Sequence, residues 1–288
     1  DWNPANDGDS TALSVMTKAQ QANRQRQFSQ ELRIASTGKN TIDWVVGGYY
    51  YWQIVRGYGK TAYGADAPNW FLPTVNPVVS NAALNGFEAG STSTPETKSL
   101  AVFGQASWNI TPSLSLTAGL RYTHEKKQGS YEQFHVAGVD LSTLPAPVAA
   151  AAAGIRGGYA PVTSFSTQFT DHSLSGLISR GYKVTPDVLI YGSYSRGNKS
   201  GGLNLAQLPA GVSPTVAPEK VDSYEIGLKS QLFNNTVTFN LAGYWTEISD
   251  YQTAISDLEP NSGRILQYIA NIPKVRSRGV DADLVWAP

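Results

Sequence analysis

The three histidines, His124, His135 and His172, are the first place to look for chemistry. None forms an H-x-x-x-H or H-x-H pair, so a metal site would need distant loops to converge. No cysteine is present to supply a thiolate or a disulfide. The stretch Gly154-Ile155-Arg156-Gly157-Gly158 lacks both the spacing and the Lys-Ser/Thr pair of a phosphate-binding loop. Gly197-Asn198-Lys199-Ser200-Gly201-Gly202 fails the same test on its glycine spacing and reads as a flexible exit from a strand. Serines, histidines and carboxylates occur, but nothing places them as a nucleophilic triad or as the paired carboxylates of a glycosidase. The residues point away from an enzyme, with no metal and no cofactor expected. What remains is polar side chains at alternate positions and aromatics in long connections.

Those groups sit in an unusual composition. Lys plus Arg and Asp plus Glu number 22 each, so no basic surplus points to nucleic acid. Charged residues make up 15% of the chain, below the roughly 25% of soluble domains. There are 15 Tyr and 7 Trp against 9 Phe and one Met. Tyr and Trp, apolar in body and polar at the tip, suit a membrane interface. Mean hydropathy is −0.25, and no apolar run approaches the roughly 18 residues of a membrane helix. Such a chain fits a β-barrel with one face in lipid and one in water.

The periodicity agrees. From Ser113 to Thr123, Leu114, Leu116, Ala118, Leu120 and Tyr122 alternate with Ser115, Thr117, Gly119 and Arg121. That period of two predicts a strand with one apolar and one polar face. Nine such strands are expected, at 27–36, 41–53, 99–109, 113–126, 171–183, 188–197, 221–232, 236–249 and 275–286, with 264–272 extending the last. Tight turns fall at Thr37-Gly38-Lys39-Asn40, Ile110-Thr111-Pro112-Ser113, Val184-Thr185-Pro186-Asp187 and Phe233-Asn234-Asn235. Long connections fall at 54–98, 127–170, 198–219 and 250–263, and residues 1–24 read as the end of a further outer loop. Short turns on one rim and long loops on the other is the outer-membrane pattern.

The faces follow. Leu114, Leu116, Leu120, Tyr122, Ile226, Leu228, Val237, Phe239 and Leu241 are expected to meet outer-membrane lipid. Arg121, Glu225, Lys229, Asn240, Asp281 and Asp283 are expected on the wet side, there either to hydrate and salt-bridge a wall or to meet something inside it. Trp108, Tyr191, Tyr194, Trp245 and Trp286 are candidates for interface girdles, and Tyr49-Tyr50-Tyr51-Trp52 stands at the outer end of its strand. Tyr58, Tyr63, Trp70 and Phe71 in the first long connection, with Tyr131, Phe134, His135 and Tyr159 in the second, are the candidate solute contacts. The run Ala149–Ala153 reads as a short helix. Nine strands cannot close as an even-numbered bacterial barrel, and an open edge in lipid leaves backbone groups unpaired. With no secretion signal before Asp1 and an end at Val285-Trp286-Ala287-Pro288, a fragment of a larger barrel is expected.

Several stretches resemble TonB-dependent outer-membrane receptors of the iron-complex and siderophore type. Val102-Phe103-Gly104-Gln105-Ala106, continuing through a Thr-Pro turn to Leu116-Thr117-Ala118-Gly119-Leu120-Arg121-Tyr122-Thr123, is similar to a mid-barrel hairpin of that family. Pro218-Glu219-Lys220-Val221-Asp222-Ser223-Tyr224-Glu225-Ile226-Gly227 resembles the strand after a long outer loop. Tyr251-Gln252 and Val275-Arg276-Ser277-Arg278-Gly279-Val280-Asp281 resemble the next hairpin, and Gln30-Glu31-Leu32-Arg33 an earlier strand. The resemblance implies an antiparallel transmembrane β-barrel, present as an open fragment of about nine strands of a 22-stranded wall. Neither the N-terminal plug nor its TonB box is visible in this sequence, nor is the usual aromatic-ended last strand. It implies location in the outer membrane of a Gram-negative bacterium. It also implies import of a scarce large solute, foremost a ferric siderophore, with energy from TonB and its inner-membrane motor proteins acting on the plug. The wet-side residues would then contact the plug or line the path beside it. A passive porin, an adhesin and a soluble β-sandwich binding module are the competing readings.

Overall fold

The computed structural model describes residues 12–38, 40–259 and 265–287. The expectations for 1–11, Lys39, 260–264 and Pro288 lie outside the described residues. In chain order the elements are β1 (Met16–Ala35), β2 (Ile42–Tyr63), α1 (Ala67–Phe71), α2 (Pro77–Leu84), β3 (Glu88–Ser93), β4 (Glu96–Asn109), β5 (Leu114–Ala137), a 3₁₀ turn (Leu141–Thr143), α3 (Ala146–Tyr159), β6 (Thr163–Thr185), β7 (Val188–Lys199), β8 (Gly202–Leu203), β9 (Thr215–Val216), β10 (Glu219–Leu232), β11 (Val237–Leu258) and β12 (Ile265–Trp286). All strands except β8 and β9 form one antiparallel sheet in chain order. β3 and β4 both lie between β2 and β5 and act as one interrupted strand, broken at Thr94-Pro95. The nine expected strands are therefore present, with β1 and β12 at the two edges of the described sheet.

Local chemistry closes the short turns. Thr111 Oγ1 accepts from the amides of Ser113 and Leu114 at 3.3 and 3.0 Å. Thr185 Oγ1 accepts from the Asp187 amide at 3.3 Å. Asn234 and Asn235 turn with φ of 54° and 66°, a region that Asn tolerates better than most residues. On the other rim the strands run further than alternation alone predicts. β2 continues to Tyr63 and β5 to Ala137, β6 starts at Thr163, and β11 runs to Leu258. The long connections shrink accordingly, the first two to 64–87 and 138–162, and the 250–263 connection is mostly strand. β1 likewise begins at Met16, within the segment expected to be loop. β5 is 24 residues long, roughly 80 Å at 3.3 Å per residue. Crossing a hydrocarbon layer takes only about 9–11 residues, so the strand is more than twice the length that a crossing needs.

Register fixes which side chains share a face. Leu116 pairs with Trp108 and Arg180, Leu120 with Gly104 and Gly176, and Tyr122 with Val102 and Leu174. Continuing across β7 and β10 to β12, the same face carries Ile190, Ile226, Leu228, Phe239, Leu241, Val280 and Leu284. Toward β1 it carries Leu32, Ile34, Trp44 and Val46. All nine residues read as lipid-facing lie on this face, and much of it is bare: Leu120 is 63% and Ile226 67% exposed. On β5 the apolar stripe runs from Leu114 to Tyr122, roughly 26 Å along the strand. Arg180 breaks the face near its inner end, where a long side chain can reach the polar boundary.

The opposite face is concave. The segment between β7 and β10 crosses it, with β8 against β5 and β6 and β9 against β12. Residues 205–207 share one cavity with Gln21 and Asn23 of β1 and Ile265–Gln267 of β12, the two ends of the sheet.

Above the outer rim, connections 64–87 and 138–162 fold into one lobe. Tyr63, Leu84, Phe87, Ala152 and Tyr159 form its buried core, with Phe71 packed against them. Tyr63 stacks on Phe87 at 5.9 Å and meets Tyr159 edge-on at 5.7 Å. Arg156, 7% exposed, reaches from α3 and donates to the carbonyls of Ala83 (3.0 Å), Ala82 (2.8 Å) and Val139 (3.0 Å). Its guanidinium lies over the Phe87 ring, and burial draws its pKa down. The alanine run is inside α3, as expected.

Two outcomes follow. Leu116→Arg should weaken folding into lipid vesicles by roughly 2–4 kcal/mol, and Thr117→Arg on the concave face by much less; equal losses would contradict the facing. Arg156→Met strips three carbonyls of a charged donor. It should cost about 2–4 kcal/mol of local stability and raise amide exchange in 64–87 and 138–162 while leaving the 114–122 stripe protected. Unchanged exchange in both connections would contradict the lock.

Candidate functional site

The concave face is polar, and its side chains are held by their neighbours. Arg121 sits between the rings of Tyr49 (5.4 Å) and Phe103 (5.7 Å). Glu225 accepts from the Tyr191 hydroxyl at 2.6 Å, and Lys229 lies over the Tyr191 ring. Gly227 makes this possible, since a Cβ there would stand 2.6 Å from that ring. Asn240 donates to Asp283 at 3.4 Å. Arg121, Glu225, Lys229, Asn240, Asp281 and Asp283 all fall on this face by register. Tyr191 falls here too, so it cannot belong to an outward girdle. Trp108 and Trp286 remain at the inner end of the apolar face, and Tyr194 and Trp245 at its outer end. There Tyr194 and Arg196 bond to Asp222, while Arg276 and Arg278 stack on Trp245. These polar contacts mark where the apolar band stops.

At the outer mouth the segment 200–218 is tied down at both ends. Glu219, 5% exposed, accepts from Lys199 Nζ at 2.9 Å and from the Gln252 amide at 2.6 Å. The Gln252 side chain donates to the carbonyls of Ser200 and Ala217 at 3.0 and 2.9 Å. Asn271 donates to the Ala217 carbonyl and accepts from its amide, both at 2.9 Å. Asn204 exchanges two bonds with the Ile269 backbone at 2.9 Å. Lys127 Nζ donates to the Gly201 carbonyl at 2.7 Å. The segment is thereby stretched over the concave side like a strap.

Between this strap, α3 and the outer ends of β6 and β12 lies a cleft of about 820 Å³. Its walls are mostly small or apolar: Gly157, Pro161, Phe165, Leu208, Pro209, Val212 and Leu266, with Gln207 and Glu259 among the polar groups. Gly154 and Gly157 would find nothing within 4 Å of an added Cβ, so that face of α3 is open. The size suits a medium-sized organic ligand.

The eight candidate contacts separate clearly. Tyr63, Phe71 and Tyr159 belong to the lobe core. Tyr131 is buried on the concave face, its hydroxyl bonded to Gln133 and its ring 5.6 Å from Phe165. Tyr63, Tyr131 and Tyr159 are only 6–7% exposed, so little of each ring meets solvent. His135 bonds to the Ala160 carbonyl at 2.9 Å and packs edge-on against Phe87. Phe134 covers Gly90. Tyr58 (42%) and Trp70 (53%) stay exposed. Alternation and composition gave no sign of the strap anchors or the cleft, although Glu219 and Gln252 stand in two of the stretches with family resemblance. Among the described residues no group of three or more His, Cys, Asp or Glu gathers to hold a metal. His124 and His172 do meet, however, through the register of β5 and β6 and not through converging loops.

Comparison with known proteins gives the framework for this geometry. The family described as "TonB dependent receptor-like, beta-barrel" matches residues 1–287. A pesticin receptor of Yersinia enterocolitica is 27% identical over 265 residues, which cover 91% of this chain and 32% of that receptor. The crystal structure of the ferric yersiniabactin uptake receptor FyuA from Yersinia pestis superposes with a TM-score of 0.68 at 20% identity, covering 95% of this chain and 34% of that one. The siderophore receptor PiuA of Acinetobacter baumannii gives 0.59 at 16%, covering 94% and 37%. The chain thus spans about a third of the length of the proteins it matches. Spanning nearly its whole length, the family match sets the meander, the bare apolar face and the strapped polar face in one context: the chain belongs to the β-barrel family of TonB-dependent receptors.

Proposed function

We propose that this chain forms about nine strands of a barrel of about 22, and that the whole protein imports a ferric siderophore or a similar scarce solute. The observation that carries the reading is the strapped outer cleft: about 820 Å³, walled by small and apolar groups, at the mouth of a polar concave face. A pocket of that kind takes a chelate whose organic shell is partly apolar, with Gln207, Glu259 and nearby backbone groups orienting it. The ferric yersiniabactin uptake of FyuA and the siderophore binding of PiuA, as those receptors are named, support the same substrate class.

The remaining strands close the wall at β1 and β12, because hydrocarbon supplies no other partner for their free backbone groups. A plug domain fills the lumen against the row from Arg121 to Asp283, and TonB, driven by its inner-membrane motor, pulls on the plug through the TonB box. Outer-membrane lipid covers the Leu114–Tyr122 face. Tyr58 and Trp70 are the exposed aromatics that first meet the solute.

The test is growth on a panel of ferric siderophores as sole iron source. Deleting the gene should abolish growth on at least one of them, and deleting TonB should abolish it equally. Uptake that persists without TonB would indicate a passive porin and would overturn the proposal. Gly157→Phe should fill the cleft without a backbone clash, and replacing Gly inside α3 removes a helix penalty of up to about 1 kcal/mol. Barrel assembly should therefore stay normal while siderophore binding, read by tryptophan quenching on the full receptor, weakens at least tenfold. Unaltered binding would move the site away from the cleft.

A further inference from the structure

His124 on β5 and His172 on β6 are direct cross-strand partners, on the convex face at the outer end of the apolar band. Their Nδ1 atoms stand 3.4 Å apart and their ring centroids 4.6 Å apart. The Tyr122 hydroxyl lies 2.8 Å from His172 Nδ1. One residue pair inward, Tyr122 and Leu174 still belong to the apolar stripe; one pair outward, Lys126 and Thr170 face water. The imidazoles therefore sit where the membrane gives way to solvent. Lys126 and its β4 partner Lys98 are the near cations, one strand repeat away at roughly 7 Å, where water screens them.

The spacing is that of a coordination edge. A zinc–imidazole bond of about 2.0–2.1 Å at the tetrahedral angle places two nitrogens about 3.3–3.4 Å apart. The two Nδ1 atoms already have that separation, held by the ladder bonds of adjacent strands and not by mobile loops. We propose that His124 and His172 form an outward-facing clamp for a divalent cation of the zinc and copper class, separate from the concave site and independent of the import reading. Each histidine, in its Nε2–H tautomer, turns the Nδ1 lone pair to the cation. The Tyr122 hydroxyl leaves His172 and bonds to a water that completes the coordination shell. Two protein ligands leave open positions, so the cation exchanges readily and is not a buried structural metal. The function this supports is capture of a cation at the membrane surface, where it can bridge the barrel wall to an anionic group beside it.

Zinc chloride titrated calorimetrically into the tag-free, full-length receptor in detergent tests the site. One zinc per chain is expected. His124→Gln and His172→Gln should each weaken it at least tenfold, while His135→Gln and Tyr122→Phe keep it. The side chains are on the surface, and circular dichroism of each variant verifies that the sheet is formed. The clamp is overturned if the unmodified receptor takes up no zinc at millimolar concentration. It is likewise overturned if either glutamine variant at 124 or 172 binds within tenfold of the parent, or if His135→Gln removes the same site.

Discussion

Hydrocarbon offers a backbone amide no partner, and the rest of this structure depends on that fact. An unpaired N–H or C=O costs several kcal/mol in lipid, so a chain that crosses by strands must pair every strand with a neighbour. The meander does this within the chain, each strand bonded to the one before it. Among the described residues, β1 and β12 are the two edge strands, each with one neighbour in the sheet. The same rule explains the short inner turns, which Thr111, Thr185 and the Asn234-Asn235 pair close without lengthening the unpaired chain. With pairing settled, the period of two sends apolar groups to one side and polar groups to the other without further instruction.

Beyond the lipid the constraint relaxes, and other forces build the outer half. Water now solvates the strand arms, so β5 can run on to Ala137 with polar residues on both sides. The lobe of α1, α2 and α3 is a small hydrophobic core with a buried guanidinium at its centre. The strap depends instead on carboxamides and a buried carboxylate that take up loose backbone groups. The two devices divide the labour. The lobe gives the cleft a wall packed on an apolar core, and the strap gives it a wall fastened by polar bonds.

How much of this was legible in the residues depended on periodicity. The Leu114–Tyr122 stripe, the Arg121 and Glu225 rows and the short turns at 110–113, 184–187 and 233–235 could be read, because a face or a turn is local. The outer strand ends could not. Past Lys126 both faces are polar, alternation fades, and strand and loop look alike. For the same reason Tyr63 and Tyr159 resembled exposed loop aromatics, although they meet each other in a core assembled from two connections. Tyr191 shows a related limit: its position near a strand end matched a girdle, but register turned it toward Glu225. Arg156 seemed part of a failed phosphate motif, and only the fold supplies its three carbonyls. The meeting of His124 and His172, 48 residues apart, is a property of pairing that no motif scan detects.

The central claim is a two-sided wall, lipid outside and water or plug inside. This chain has no cysteine, so single cysteines placed from 114 to 123 in the full-length receptor, with any cysteine elsewhere in it replaced by serine, carrying a fluorescent label and reconstituted in vesicles, test it directly. The account predicts that labels at even positions are quenched by brominated lipid and labels at odd positions by a water-soluble quencher. A flat profile, or even positions shielded from both quenchers as in a protein core, would contradict it.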